Sequence, residues 1–311
     1  MDQVVINEVG LRDGLQNQPT LLATADKLRL ALALQKAGLD HLEVTSFVSP
    51  RAIPQMADAD ELSHALFAAS TQHQDYAALV PNLRGYERAL RHPYRELSVV
   101  VASTDSFNRH NLNKSLPEAL DGALTLIGCA REDGVRLRVH LSGAMGCPYD
   151  GAQPIRHILD LAETLLAAGA DELVLSDTIG SGHPRLARAL LLPLIEGFGV
   201  DRLGLHLHDT RGLALPIALV AIDLGLRRFD ASVGGLGGCP YAPGATGNVA
   251  TESLVYLCER EGLRTGVDLE ALQEAIALAA SLTAQNLGGP VSRWLQHRCP
   301  VAGALPAGGL S

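Results

Sequence analysis

Aromatic side chains make up only 4% of this 311-residue chain, although 47% of it is hydrophobic. A core built from it is therefore aliphatic, and the composition fits many helices packed on aliphatic strands. Long basic runs are missing too. No stretch of Lys and Arg reaches five residues and the formal net charge is −9, which argues against a nucleic-acid surface. No apolar run long enough to span a bilayer is free of polar groups, and the N-terminus has neither a basic segment nor an apolar leader. The expectation is a soluble, cytoplasmic protein with no membrane partner. The five cysteines (Cys129, Cys147, Cys239, Cys258, Cys299) are scattered and odd in number, which fits reduced thiols rather than a disulfide framework, and no CxxC zinc pattern occurs. Nor does a GxGxxG follow the first apolar run, so a dinucleotide fold is not favoured.

What is present is a strict alternation. Short β-prone runs are read at 3–8, 41–45, 76–80, 97–102, 136–141, 172–176, 204–208 and 228–232. Helical patterns follow them at 24–38, 58–70, 83–91, 115–133, 154–169, 183–198, 211–225 and 247–261. Eight strand–helix units imply a parallel sheet, and eight close naturally into an α/β (β/α)8 TIM barrel. Past about residue 262 the alternation stops. One or two extra helices are expected over 268–287, within a helical C-terminal appendage spanning 263–300. Residues 301–311, rich in Gly, Ala and Pro, read as a flexible tail. No interdomain linker is evident, so one domain is expected.

Catalytic groups of such barrels sit where strands end. Arg12 and Asp13 follow the first strand, Glu43 and Ser46 end the second, and Asp177 ends the sixth. His206 and His208, two apart on the seventh strand, point the same way. Cys239 and Asn248 lie in the glycine-rich stretch Gly234–Asn248 after the eighth. Each residue alone has an ordinary structural explanation: Asp13 as a helix cap, Glu43 as a surface ion-pair partner, Asp177 as an Asx-turn. Their joint placement on one rim points to a metal site with a mobile lid. Asp13, His206, His208 and Asn248 form a nitrogen–oxygen ligand set that suits Mg²⁺ or Mn²⁺, with Zn²⁺ or Co²⁺ as alternatives. Arg12 is placed to steady a developing enolate or carboxylate oxygen. Asp177 and Glu43 are carboxylates for proton transfer or for orienting Arg12. Cys239 is a mobile thiol that a closing lid brings to the reaction.

The segments Asn7–Asn17, Glu43–Pro50, Gly146–Gly151, Ser176–Gly180, His206–Thr210 and Gly234–Asn248 closely resemble those of 3-hydroxy-3-methylglutaryl-CoA lyases. These are metal-dependent TIM-barrel enzymes with an Arg-Asp motif on the first strand. The resemblance implies retro-Claisen cleavage of (S)-3-hydroxy-3-methylglutaryl-CoA to acetyl-CoA and acetoacetate, a reaction of leucine degradation. It also implies Asp13, His206, His208 and Asn248 as metal ligands, Arg12 as enolate stabiliser, Cys239 as lid acid, Glu43 and Asp177 as essential carboxylates, and Ser46 near the substrate. An acyl-CoA partner and a homo-oligomer, dimer or higher, follow from the same resemblance. For CoA itself, Asn108, Arg109 and Asn111 after the fourth strand are candidates. Arg211 stands where an uncharged residue is common, and a cation there is expected to alter the acyl or carboxylate pocket. The alternative it raises is a lyase for a different 3-hydroxy-3-carboxymethyl acyl-CoA thioester, ahead of a Claisen-condensing synthase or a catalytically silent binding protein.

Overall fold

The computed structural model of the protein describes residues 2–69, 75–238 and 247–297. Cys239, Cys299 and the expected tail at 301–311 lie outside them. Eight parallel strands close into a barrel in sequence order, with the last strand hydrogen-bonded to the first. They are β1 (Val5–Glu8), β2 (His41–Ser46), β3 (Asp75–Leu79), β4 (Glu96–Ala102), β5 (Arg136–Ser142), β6 (Glu172–Asp177), β7 (Leu203–Leu207) and β8 (Arg228–Ala231). The outer ring contains α1 (Thr24–Lys36), α2 (Ala59–Ala69), α3 (Leu83–Ala89), α4 (Asp105–Leu112), α5 (Leu116–Asp133), α6 (Ile155–Ala168), α7 (Pro184–Phe198), α8 (Ala214–Asp223) and α9 (Thr251–Arg260). Beyond the alternation come α10 (Leu269–Thr283) and α11 (Pro290–His297). The fold is thus the TIM barrel expected, and α10 falls within the stretch read as extra helix. The short helix α4 was not foreseen, and α11 lies within the stretch read as a helical C-terminal appendage. No helix among the described residues is long and apolar enough to cross a membrane.

Two kinds of core result. Apolar residues on the outward faces of the strands, such as Leu97, Val99, Leu137, Val139, Leu173, Leu205 and Phe229, are buried and belong to one hydrophobic cluster with the surrounding helices. The barrel interior is much more polar. Arg138 is sealed there, with its guanidinium 2.9 Å from Glu172 and 2.7 Å from Asp230. Arg228 reaches the other Glu172 oxygen at 2.5 Å. Gly204 lies on β7 where this network crosses, and a Cβ there would run into the Glu172 carboxylate. That close approach explains a glycine in the middle of a buried strand.

The first strand leads into a turn of π-helix, Gly10–Gly14, in which both Asp13 and Gly14 donate their backbone N–H to the Val9 carbonyl. Such wide turns recur at functional sites. Here the turn delivers Arg12 and Asp13 together to the mouth of the barrel. Beneath it lies Glu8, which is wholly buried. Its carboxylate accepts the N–H groups of Gly10 and Val233 and the Thr251 hydroxyl. Burial outweighs these bonds and pushes its pKa from an ordinary 4.5 to about 7. The folded protein therefore binds a proton that the unfolded chain has already released, and stability contributed by Glu8 is lost as pH rises from about 4.5 to about 7. In Glu8→Gln this component is absent. The Tm difference between about pH 5 and about pH 8 shrinks in the variant, as scanning calorimetry of both proteins will show. An unchanged difference contradicts the assignment.

Candidate active site

The cavity at the barrel mouth has a volume of about 210 Å³ and is walled in part by Arg12, Asp13, Asn111, His140, His206 and His208. Asp13 Oδ2 lies 4.0 Å from His206 Nε2 and 3.9 Å from His208 Nε2. These gaps are too long for hydrogen bonds and short enough for one cation to be shared. The three ligand atoms all lie within 4.8 Å of one another. Asn248 Nδ2 sits 2.8 Å from the same Asp13 oxygen. To serve as a ligand the amide must turn over and present its oxygen instead. A carboxylate, two imidazoles and an amide suit a divalent cation, so these residues fit the metal that the sequence implies.

The chain positions each of the four by local means. His206 ends the inward face of β7. His208 falls one residue beyond that strand and is fixed by an isolated bridge to Asn248. The two histidines do not share one strand as expected, but they still converge. Burial weakens the positive charge of each imidazole. His206 is nonetheless held above its ordinary pKa by the carboxylates of Asp230 and Asp13, whereas His208, with His206 beside it, is pushed down to about 4. Burial also opposes the charge of Asp13, but the Arg12 guanidinium and both imidazoles hold its carboxyl well below the usual range. The ligand carboxylate is therefore ionised at neutral pH.

Arg12 is clamped from two sides. Its Nε donates to Glu43 Oε2 at 2.5 Å and its Nη1 to Asp13 Oδ1 at 2.6 Å. The other Glu43 oxygen accepts the Ser98 hydroxyl. Of the two roles read for Glu43, the geometry matches the orienting of Arg12.

Asp230 escaped the sequence reading. Its Oδ2 lies 3.2 Å from His206 Nδ1, while its Oδ1 takes Arg138 at 2.7 Å and Asn7 at 3.2 Å. A carboxylate behind a metal-facing histidine fixes the tautomer and sharpens the ligand. The alternation Arg228, Asp230 on one strand was a usable signal: in a closed barrel those residues face the interior. We expect Asp230→Asn to weaken divalent-metal affinity by roughly 10–100-fold, read by metal titration of the chelated protein. Affinity equal to the wild type contradicts this role.

Three expectations meet a different geometry. Inward positions on β6 are Glu172, Val174 and Ser176, so Asp177 has the opposite parity. Its two oxygens accept the backbone N–H groups of Ser181 and Gly182, both at 2.9 Å. It braces the loop before α7, in the Asx-turn manner weighed as its ordinary explanation. Burial raises its pKa, yet the residue is not among those walling the cavity. Ser46 donates to the Leu79 carbonyl at 3.2 Å and is likewise absent from the wall. Arg211 donates to the Ile179 carbonyl at 2.5 Å on the exposed surface and does not line the cavity. Its cation therefore ties down the same loop that Asp177 holds. Of the CoA candidates, Asn108 spends its amide on Ala102 and Thr104, Arg109 pairs with Asp105 at 2.5 Å, and only Asn111 reaches the cavity. Cys239 lies outside the described residues, but the segments flanking it are placed: Gly238 lines the cavity and Asn248 bonds Asp13.

The HMGL-like family model matches residues 3–279. The hydroxymethylglutaryl-CoA lyase YngG of Bacillus subtilis is 41% identical over 295 residues, covering 94% of this chain and 97% of that protein. A Pseudomonas aeruginosa protein named 3-hydroxy-3-isohexenylglutaryl-CoA/hydroxy-methylglutaryl-CoA lyase is 43% identical over 275 residues, covering 88% and 90%. A solved structure of an HMG-CoA lyase from Acinetobacter baumannii, in complex with coenzyme A and 3-methylmalate, superposes with a TM-score of 0.89 at 33% identity and covers 98% of both chains.

Proposed function

Because this chain belongs to the HMGL-like family, we propose that it is a carbon–carbon lyase cleaving 3-hydroxy-3-methylglutaryl-CoA to acetyl-CoA and acetoacetate. The observation that carries this reading is the placement of Asp13, His206 and His208 around one point beside the clamped Arg12. The substrate is a tertiary alcohol β to a thioester. Loss of the hydroxyl proton lets the oxygen collapse to a ketone. The bond between C2 and C3 breaks, and its electron pair moves into the thioester as an enolate.

Asp13, His206, His208 and Asn248 are the proposed holders of a Mg²⁺ or Mn²⁺ ion. Bound there, the ion supplies Lewis acidity toward the hydroxyl and carboxylate oxygens of the substrate. Arg12 has the complementary task. With Nε on Glu43 and Nη1 on Asp13, its remaining N–H groups meet the charge that appears on the enolate oxygen. Because Glu43 and Ser98 fix the guanidinium beforehand, little reorganisation is needed when that charge forms. A proton returned to the enolate carbon completes acetyl-CoA, and Cys239, in the segment joining Gly238 to Asn248, is the proposed donor. Cys239→Ala is expected to slow turnover at least roughly 100-fold, the usual scale of lost acid–base catalysis, with metal content unchanged. Full activity in the variant removes the thiol from the reaction. Leucine degradation in the cytoplasm is the proposed setting.

A second reading is favoured by the Pseudomonas aeruginosa relative, whose name covers an isohexenyl as well as a methyl substrate. The cavity wall includes Ile53, Val100 and Phe107, an apolar face for the substituent on C3. A panel of 3-hydroxyglutaryl-CoA thioesters carrying methyl, butyl and isohexenyl groups tests both readings, with acetyl-CoA release as the readout. Cleavage of the methyl compound supports the first reading. Preference for the longer chains replaces it with the second. No acetyl-CoA from any of them rejects both.

A further inference from the structure

Among the described residues, two that wall the cavity carry a buried ring nitrogen without a protein partner: His208 Nδ1 and His140 Nε2. His208 already has a proposed duty through its other nitrogen. His140 has none. It lies on the inward face of β5, two residues beyond Arg138, and is 3% exposed. Its strand neighbours are Val100 on β4 and Val174 on β6, neither of which offers a side-chain hydrogen bond. Its ring stands edge-on to that of His206, with centroids 5.9 Å apart. Its Nδ1 faces Asp230 Oδ2 at 3.8 Å, too far for a good hydrogen bond but close enough for the carboxylate to favour the proton on that nitrogen. The tautomer so selected leaves Nε2 with a bare lone pair. A sealed polar atom with no partner is costly, and strand packing alone is served as well by a valine or leucine. The orphan atom therefore marks a place for something the cavity receives.

The hydroxyglutaryl portion of the proposed substrate has three kinds of oxygen. Its carboxylate and its thioester carbonyl only accept hydrogen bonds, and its tertiary hydroxyl alone donates. We propose that His140 contacts the substrate, with Nε2 accepting a hydrogen bond from that hydroxyl and so orienting the O–H group from which cleavage starts. This rests on the cleavage reaction proposed above and adds a recognition element to it. The inward faces of β5 and β8 then act as one unit: Arg138 holds Asp230 of β8, Asp230 sets the proton on His140, and His140 reads the alcohol.

The test compares two ligands on the metal-loaded protein. One is 3-hydroxy-3-methylglutaryl-CoA. The other is 3-methylglutaryl-CoA, which lacks the hydroxyl and is not cleaved. His140→Leu is expected to lower kcat/KM for the first by roughly tenfold or more, the scale of one lost hydrogen bond to a reacting group, while the inhibition constant of the second stays within about twofold. His140→Gln, which places an amide oxygen near the position of Nε2, recovers part of the loss. Metal content remains that of the wild type in both. An unchanged kcat/KM in His140→Leu overturns the proposal, and so does an equal loss of affinity for both ligands, which is what a purely structural histidine produces. If the wild type cleaves the hydroxy compound, these results bear on His140 alone. If the wild type does not cleave it, the assigned reaction and this contact fall together.

Discussion

Arg12→Gln is expected to lower kcat by at least roughly 10³-fold, the upper range for losing one preorganised donor to a developing oxyanion. The reason for placing it at the upper end is the clamp. Glu43 is 1% exposed and bonded to Arg12 at 2.5 Å. Removing the guanidinium also leaves that carboxylate, and Asp13 beside it, without their nearest cation. Like charges so placed draw the metal-binding carboxylate away from its geometry. Arg12→Lys does not rescue the variant, because a single ammonium cannot bridge Glu43 and Asp13 and still reach the enolate. The measurement is steady-state turnover with metal content determined in parallel. A loss of less than about tenfold, with metal retained, contradicts the role of Arg12 as the enolate stabiliser.

Arg138→Leu is expected to be the most destabilising of the single changes considered. Its guanidinium is 1% exposed and faces Glu172, Asp230 and Glu96 at 2.9, 2.7 and 3.9 Å. Replacing it takes the guanidinium from buried Asp230 and leaves Glu172 and Glu96 with the partly buried Arg228 beside them, and removing one partner of a buried pair costs about 3–5 kcal/mol. For a chain of this size that lowers Tm by roughly 5–8 °C. A site effect follows from the same change. Asp230 is held far below the usual carboxylate range, burial notwithstanding, by Arg138 and the nearby imidazoles. Without Arg138 it takes up a proton more readily and no longer orients His206. Metal affinity and Tm should therefore fall together, and calorimetry with metal titration of the refolded variant reads both. A Tm within about 2 °C of the wild type contradicts the network's role.

Arg12 sits at the barrel mouth and Arg138 in the barrel interior, and the interior is where the sequence was least legible. The strands were readable because β-prone runs of five or six residues alternate with helical patterns, and the observed edges fall within two residues of those read. The convergence of Arg12, Asp13, His206, His208 and Asn248 was readable as well, since charged and metal-binding residue types at strand ends stand out against an aliphatic background. Parity was the signal left unused. With Glu172 and Ser176 facing inward, Asp177 has to face the loop, and its bonds to Ser181 and Gly182 follow. The same count along β5 puts Arg138 and His140 inside, although a polar residue on a strand ordinarily reads as solvent-facing. Helix α4 escaped for another reason. Asp105–Leu112 is short and mostly polar, so it has no apolar stripe for periodicity to detect. Its Thr104 cap, which accepts the Phe107 N–H, was the remaining clue.

The most direct test of the account is a titration of the chelated protein with Mg²⁺ or Mn²⁺, following bound metal and acetoacetate release from 3-hydroxy-3-methylglutaryl-CoA in the same samples. The account predicts that both rise together and saturate at one ion per chain, and that Asp13→Ala and His208→Ala abolish both. Sustained acetoacetate release from metal-free protein, or full metal binding by those variants, contradicts it.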